Sequence, residues 1–475
     1  MKSNKHKKSS IYIIGLTLVA TFGGLLFGYD TAVISGTVGS IEKVFIEPFE
    51  LSETAASFRL GLVVSSALIG CIIGGIMGGL VSLHLGRKKG LMIAAILFLF
   101  SAIGSSMPEM FIKPIGTADH TFIYLFVFYR IIGGMGVGLA SMLSPMYIAE
   151  VSPPEIRGKL VSWNQFAIIL GMLVVYFVNY YIALQGDDIW LNKIGWRLMF
   201  ASETIPAILF LILLFFIPET PRYLVIRNQP EKAFEILKRI NGTEKAKLIL
   251  EEIKSTIIHK SGKLFSFGII IIVIGILLSV FQQFVGINVV LYYAPEIFKN
   301  MGSGTNYALL QTIIVGIINL TFTVIAILTV DKFGRKPLQI IGGLGMAVFM
   351  FALGFAFFSD SLGLLALIFM LGYVACFALS WGPVTWVLLS EIFPNRIRGR
   401  AMAVAVAAQW ISNYIISSTF PILNNSSFLT EKFNHGFAYW IYGVMGILSA
   451  WFVWKLVPET KGKTLEEMEK LWKNK

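Results

Sequence analysis

Twelve apolar stretches of about twenty residues or more divide this chain of 475 residues almost from end to end. Each is long enough to cross a hydrocarbon layer of roughly 30 Å as an α-helix. Lipid offers backbone groups no hydrogen-bond partners, so segments this apolar cross it only in a form that satisfies every N–H and C=O internally. Hydropathy puts the spans at about 11–38, 60–82, 89–108, 122–149, 160–184, 198–217, 265–294, 308–329, 338–358, 362–390, 401–423 and 437–457. Composition agrees: 14% of residues are charged, against about 25% in a soluble domain, which excludes a soluble enzyme. The expected class is an all-α membrane protein.

The spans leave loops on alternating sides, and the side holding the excess of Lys and Arg is expected to be cytoplasmic. The loops on the N-terminal side carry 30 of these residues and the others 7, with Arg130 and Lys455 in or beside spans. Both termini are therefore expected in the cytoplasm. The first span is too long for a removable leader and has no small-residue cleavage site. The net charge of +12 is thus a matter of topology, and no nucleic-acid partner is expected. Cys71 and Cys376 both fall in apolar segments, so neither a disulfide framework nor a metal cluster is expected, and no cofactor.

Three motifs recur in order. Gly86-Arg87-Lys88 follows span 2 and Gly334-Arg335-Lys336 follows span 8, 248 residues on. Glu150, Pro153, Arg157 and Gly158 close span 4 as Glu391, Pro394, Arg398 and Gly399 close span 10, at an offset of 241; Pro218-Glu219-Thr220 and Pro458-Glu459-Thr460 follow spans 6 and 12 at 240. Such duplication implies two six-helix halves in parallel orientation, with a site at mid-membrane between them. The expected organisation is a tail at 1–10, halves at 11–217 and 265–457, a helical linker at 218–264 and a tail at 458–475. Within the linker, amphipathic patterns run over about 230–240 and 244–259, read as a solvated cap joining the halves.

With Arg130-Ile-Ile-Gly133-Gly-Met-Gly136, Pro221-Arg222 and Asp331-Lys-Phe-Gly334 added, these motifs resemble the major facilitator superfamily, specifically its sugar porter branch. Gly23-Gly-Leu-Leu-Phe-Gly-Tyr-Asp30, Gln282-Gln-Phe-Val-Gly-Ile-Asn288 and Trp381-Gly-Pro-Val-Thr-Trp386 resemble the bacterial D-xylose–proton symporters within it. The resemblance, from about residue 11 to 471, implies a monomeric symporter in the bacterial inner membrane, taking up a monosaccharide with a proton. It also implies a cytoplasmic gate of Arg87, Glu150, Arg157, Arg335, Glu391 and Arg398, holding the halves together when that side is closed. Position 83, often acidic in the family, is Leu83 here, whereas Asp331 is kept.

Charge inside the membrane costs roughly 2.5–3.5 kcal/mol even on the mildest scale, so ionisable residues there are functional candidates. Asp30 in span 1 and Arg130 in span 4 have opposite signs. A carboxylate beside a guanidinium stays ionised, and one pulled away from it into apolar surroundings takes up a proton; the resemblance makes these two the proton-coupling pair. Glu203 reads as a third carboxylate, near one end of span 6. The neutral amides Gln165, Gln282, Gln283, Asn288, Asn319 and Gln409 suit a sugar, because an amide meets a hydroxyl as donor and as acceptor. On one continuous helix, Asn288 would point about 120° away from Gln282. Trp386, placed after a break at Gly382-Pro383, and Trp410 are the candidate sugar platforms, with Phe27, Tyr292 and Tyr293 secondary.

Seven positions after Gln165, where the xylose symporters have an amide, this chain has Met172. That leaves xylose against glucose open. A uniporter would not need Asp30. A sugar sensor would carry a longer tail than the 15 residues after Thr460, and no hydrolase or metalloprotease motif points to an enzyme.

Overall fold

The protein's structure, a computed structural model, describes residues 2–153, 156–257, 264–394, 397–461 and 472. Its spans are Ile11–Gly36, Glu53–His84, Arg87–Ser106, His120–Val151, Arg157–Ala183, Asp188–Phe216, Ile269–Asn300, Thr305–Val330, Arg335–Phe358, Leu364–Ile392, Arg398–Asn425 and Phe437–Leu456. Eleven qualify on length and apolarity alone. The other, Arg398–Asn425, is long enough at 28 residues, but Gln409, Ser412, Asn413, Ser417 and Ser418 line its buried side. Several spans outrun the hydropathy estimate on the side away from the chain ends. Span 2 begins at Glu53 and span 6 at Asp188, and at the start of span 6 a side chain caps the helix beyond its apolar limit, Asp187 accepting the N–H of Trp190.

Within the first half, spans 2 and 4 touch backbone to backbone. A methyl group added to Gly134 would lie 1.8 Å from the Ala67 carbonyl oxygen, and one on Gly70 would lie 1.9 Å from that of Ile131. With little hydrophobic driving force between helices in lipid, such close approach supplies the dispersion contacts that hold them. The halves meet where span 2 packs on span 11 and span 5 on span 8.

That seam is closed toward the face opposite the chain ends. There Thr305 donates to Asp188 at 3.1 Å, Ser427 donates to Glu53, and Gly61 abuts the Ser418 carbonyl. Nearer mid-membrane, Tyr176 donates to the Leu291 carbonyl at 3.0 Å. Toward the basic face a methyl on Gly75 would still lie 3.9 Å from Trp410, but one on Gly79, one turn on, would meet nothing within 4 Å. Between described residues, no hydrogen bond or ion pair joins the halves on that side.

The repeated motifs are matching clamps on the basic face. Glu219 accepts the backbone N–H groups of Arg87 and Lys88, both at 3.1 Å, at the start of span 3. Glu459 accepts those of Arg335 and Lys336 at 3.2 and 3.0 Å at the start of span 9. Each carboxylate thus sits where a helix leaves its N–H groups unpaired and the helix dipole favours negative charge. Gly86 and Gly334 precede these starts at φ +92° and +89°, a region open chiefly to glycine. Burial pushes the Glu219 carboxyl up against its N–H bonds. Burial also acts on Glu459, but four backbone N–H groups outweigh it and hold that carboxyl below its usual value.

The linker forms three helices, Pro221–Ile226, Pro230–Asn241 and Thr243–Ile257. The last two bury Ala233, Leu237, Ala246 and Leu250 against each other, as the amphipathic patterns require; residues 258–263 lie outside the described part.

Gly86→Ala puts a methyl 2.3 Å from the Glu219 carboxylate at a positive φ, so it is expected to cost more than about 1 kcal/mol and to lower the melting temperature in detergent. Gly79→Ala, in open helix, is expected to leave it unchanged or raise it. Equal melting temperatures for the two variants would show that the clamp contributes nothing.

Candidate functional site

Asp30 and Arg130 meet in the middle of the first half. Arg130 donates through Nη1 to Asp30 Oδ1 at 2.7 Å and through Nη2 to the Asp30 carbonyl at 3.2 Å, and both side chains are at most 1% exposed. The Arg130 guanidinium also stands 5.3 Å from the Phe200 ring centre. Glu203 is not near the end of its span, as hydropathy placed it. Because the helix begins at Asp188, Glu203 comes halfway along, fully buried and within electrostatic reach of Asp30 and Arg130. Neither of its oxygens accepts from a donor among the described residues, and its carboxyl lies within hydrogen-bond reach of that of Asp30.

Span 7 is two helices. Ile269–Phe284 ends, Gly286 turns the chain at φ +91°, and Ile287–Asn300 continues. The 100° spacing therefore does not carry from Gln282 to Asn288, and the three amides that it would have spread apart form a chain. Asn288 Nδ2 donates to Gln283 Oε1 at 2.5 Å, and Gln283 Nε2 approaches Gln282 Oε1 at 3.4 Å. Gln282 Nε2 donates to the carbonyls of Trp381 and Gly382 at 2.8 and 3.2 Å.

Those carbonyls are where span 10 breaks. The break falls at Ser380 (φ −131°, ψ −87°), three residues before the proline, and helix resumes at Trp381. Pro383 then sits in a first turn, where its missing N–H costs nothing. Trp381 is fully buried, its indole donating to the Gln339 carbonyl at 2.9 Å. Trp386 is half-buried on the resumed helix.

On the seam the rings of Phe27 and Trp410, one from each half, stand 5.5 Å apart. The Trp410 indole nitrogen and Gln409 Oε1 are buried without a partner among the described residues. Tyr292 accepts from Asn413 at 3.3 Å. Tyr293 is turned away, donating to the Ser417 carbonyl at 2.9 Å. Gln165 is half-buried and Asn319 buried, on the facing spans 5 and 8. Met172 is buried on span 5, against Gly28. Asn413, Trp381 and Tyr176 were not singled out from the sequence. Asn413 lies one helical turn past Gln409, a spacing that places both on one face, and Trp381 adjoins the Gly-Pro pair.

The basic-face charges pair between neighbouring helices inside each half. Arg87 binds Glu150 at 2.7 Å, and Arg335 binds Glu391 at 2.8 and 3.1 Å, with Thr460 Oγ1 donating to Glu391 at 2.6 Å. Arg398 donates to the Phe393 carbonyl. Arg157 is exposed and makes no ion pair with a described residue. The side chain of Asp331 lies outside the described part. The seam is open on this side, and these pairs lie within each half.

Two like six-helix bundles, parallel, with polar and aromatic groups on a seam open to one face, define a secondary transporter. The chain belongs to the family of sugar (and other) transporters, which it matches over residues 16–472. It is 62% identical over 473 residues to the D-xylose-proton symporter of Escherichia coli, covering 98% of this chain and 96% of that protein. It is 42% identical over 463 residues to the glucose facilitated diffusion protein of Zymomonas mobilis, covering 97% of each. Among solved structures, it is similar to the inward open conformation of the xylose transporter XylE from E. coli, with a TM-score of 0.88, 60% identity, and coverage of 97% of this chain and 100% of the other.

Gln282→Ala strips two buried carbonyls of their donor, which is expected to cost roughly 1–3 kcal/mol and to lower the melting temperature. Gln409→Ala, which breaks no bond to a described residue, is expected to stay near wild type. A thermal shift as large for Gln409→Ala as for Gln282→Ala would contradict the division between an amide that holds span 10 and one that faces the seam.

Proposed function

We propose that this protein imports a monosaccharide, D-xylose first among candidates, together with a proton, across a bacterial cytoplasmic membrane and as a monomer. The observation that carries the reading is the fully buried Asp30–Arg130 pair, set in the half that faces the sugar seam. A static pair would be an expensive way to hold two helices, since apolar residues of similar volume are often as stable; a pair that opens and closes during transport explains its presence. The symporter relative supports it by name, as does the excess of Lys and Arg that makes the basic face cytoplasmic. The open seam is then the inward-facing state.

In this reading the sugar lies between Phe27 and Trp410, with Trp386 as a second platform. Gln165, Gln282, Gln283, Asn288, Asn319, Gln409 and Tyr292 supply hydrogen bonds. Asp30, ionised beside Arg130, waits for a proton from outside; once neutral it no longer holds the arginine, and the halves rock. When the cytoplasmic side closes, Arg87, Glu150, Arg157, Arg335, Glu391 and Arg398 come to face one another across the seam and serve as its gate. One proton moving through about 150 mV supplies roughly 3.5 kcal/mol, enough to concentrate sugar a few hundredfold.

Passive or proton-coupled hexose transport is the second reading. The observation favouring it is Met172, apolar where an amide would bind a hydroxyl, together with the relative named for facilitated diffusion of glucose.

The test is uptake of labelled xylose and glucose into vesicles with an imposed pH gradient. Wild type is expected to concentrate xylose, and Asp30→Asn to bind sugar but not concentrate it. Arg130→Ala is expected to be worse, because a buried carboxylate stripped of its partner costs about 3–5 kcal/mol. Asp30→Asn vesicles that still concentrate sugar would overturn the coupling role. Met172→Gln is expected to shift competition toward xylose; an unchanged xylose-to-glucose ratio would remove position 172 from the pocket.

A further inference from the structure

Arginine has donors and no acceptor, so Arg130 cannot take the hydrogen of a protonated Asp30. Once protonated, the buried acid presents an O–H that needs an acceptor, and an unpaired hydroxyl in this interior is costly. The groups near Asp30 decide where that hydrogen goes. Arg130 faces it from span 4, Glu203 from span 6, the Cys71 thiol from span 2 and the Tyr292 hydroxyl from span 7. Tyr292 is engaged with Asn413, and the Glu203 carboxyl, within hydrogen-bond reach of Asp30, is one acceptor.

Span 3 contributes one more group. Ser101 is 1% exposed, and its hydroxyl has no partner among the described residues. A buried helical serine usually returns its hydrogen to a carbonyl one turn back, as Ser106 does to Ile103 in the same span. Ser101 does not. Its oxygen lies 2.3 Å, and Asp30 Oδ1 lies 3.1 Å, from the point where a methyl on Gly133 would stand. Glycine at 133 thus leaves open the space that the hydroxyl and the carboxylate share. Ser105, one turn further along the same face, is also buried, its hydroxyl without a partner among the described residues. In the same cluster Asp30 Oδ2 has no donor, and Arg130 Nε no acceptor, in bonding geometry among the described residues.

We propose that Ser101 is a positioning residue of the proton site: its hydroxyl accepts the hydrogen of the Asp30 carboxylic acid when Arg130 lets go. A hydroxyl is suited to this because its oxygen keeps two lone pairs free to accept. The proton comes from solvent and remains on the Asp30 carboxyl, and no bond to the serine forms beyond the hydrogen bond, made directly or through one water. The inference rests on Asp30 as the proton carrier.

The test is the pH midpoint of gradient-driven xylose accumulation in proteoliposomes, a quantity that does not depend on how much protein is inserted. Removing the acceptor disfavours the protonated acid, so the Ser101→Ala midpoint is expected to move toward acid by roughly 0.5–1 pH unit, the equivalent of one lost hydrogen bond. Ser101→Thr keeps the hydroxyl and is expected to restore the wild-type midpoint. Ser101→Cys keeps the volume with a weaker partner and is expected to fall between, which leaves the test usable if the alanine variant does not fold. A Ser101→Ala midpoint indistinguishable from wild type, or a Ser101→Thr midpoint displaced as far as that of alanine, would overturn the proposal. Asp30→Asn separates this failure from the other. Accumulation that survives Asp30→Asn sinks the proton-carrier reading itself, whereas accumulation lost there beside an unmoved Ser101→Ala midpoint sinks only the role of Ser101.

Discussion

Hydrocarbon gives a polar group nothing to bond, and this protein is organised by that fact. Its backbone answers with twelve helical spans among the described residues. Where a helix is interrupted, the freed groups are met from inside the bundle. Gln282 crosses to the Trp381 and Gly382 carbonyls at the break in span 10, and Tyr373 donates to the Val285 carbonyl at the break in span 7. Irregular backbone at membrane depth is tolerated only where protein or a water-filled cavity covers it, and both breaks are met by side chains of the second half. The same constraint makes the Asp30–Arg130 pair possible: each charge is acceptable there only because the other is 2.7 Å away.

Charge is used in two ways that the duplicated sequence made look alike. On the basic face Glu219 and Glu459 cap the starts of spans 3 and 9, and Arg87–Glu150 and Arg335–Glu391 tie neighbouring helices together. All of these stay within a half and make each half a rigid body. Between halves the described contacts hold no ion pair: hydroxyls to the carboxylates of Asp188 and Glu53, a tyrosine to a carbonyl, glycine against backbone, Phe27 against Trp410. A rigid half with a seam that is lightly bonded on one side is what rocking requires.

The spans, the duplication and the site residue types were legible in the sequence because each rests on a local rule: apolar length, repeated spacing, or the cost of an ionisable group in lipid. Geometry that depends on a backbone break was not. The periodicity argument for Gln282 and Asn288 assumed one helix, and Gly286 at φ +91° cancelled it; a glycine in mid-span reads equally well as close packing, which is what Gly134 does. Glu203 looked peripheral because hydropathy ignores the helix from Asp188 to Arg197, whose polar residues continue the span beyond its apolar part. The gate charges were identified as paired, but sequence spacing does not say whether a partner lies in the same half. Ser101 carried no signal at all, since serine is common in packed membrane helices and its meaning comes from Gly133 on another span.

The central claim, that sugar and proton cross together through the first-half acid, is tested most directly by following protons with no gradient imposed. In lightly buffered right-side-out vesicles with a sensitive pH electrode outside, adding xylose is expected to make the medium more alkaline as sugar enters, and the signal is expected to vanish in Asp30→Asn. Xylose entry at the wild-type rate with no change in external pH would contradict the account.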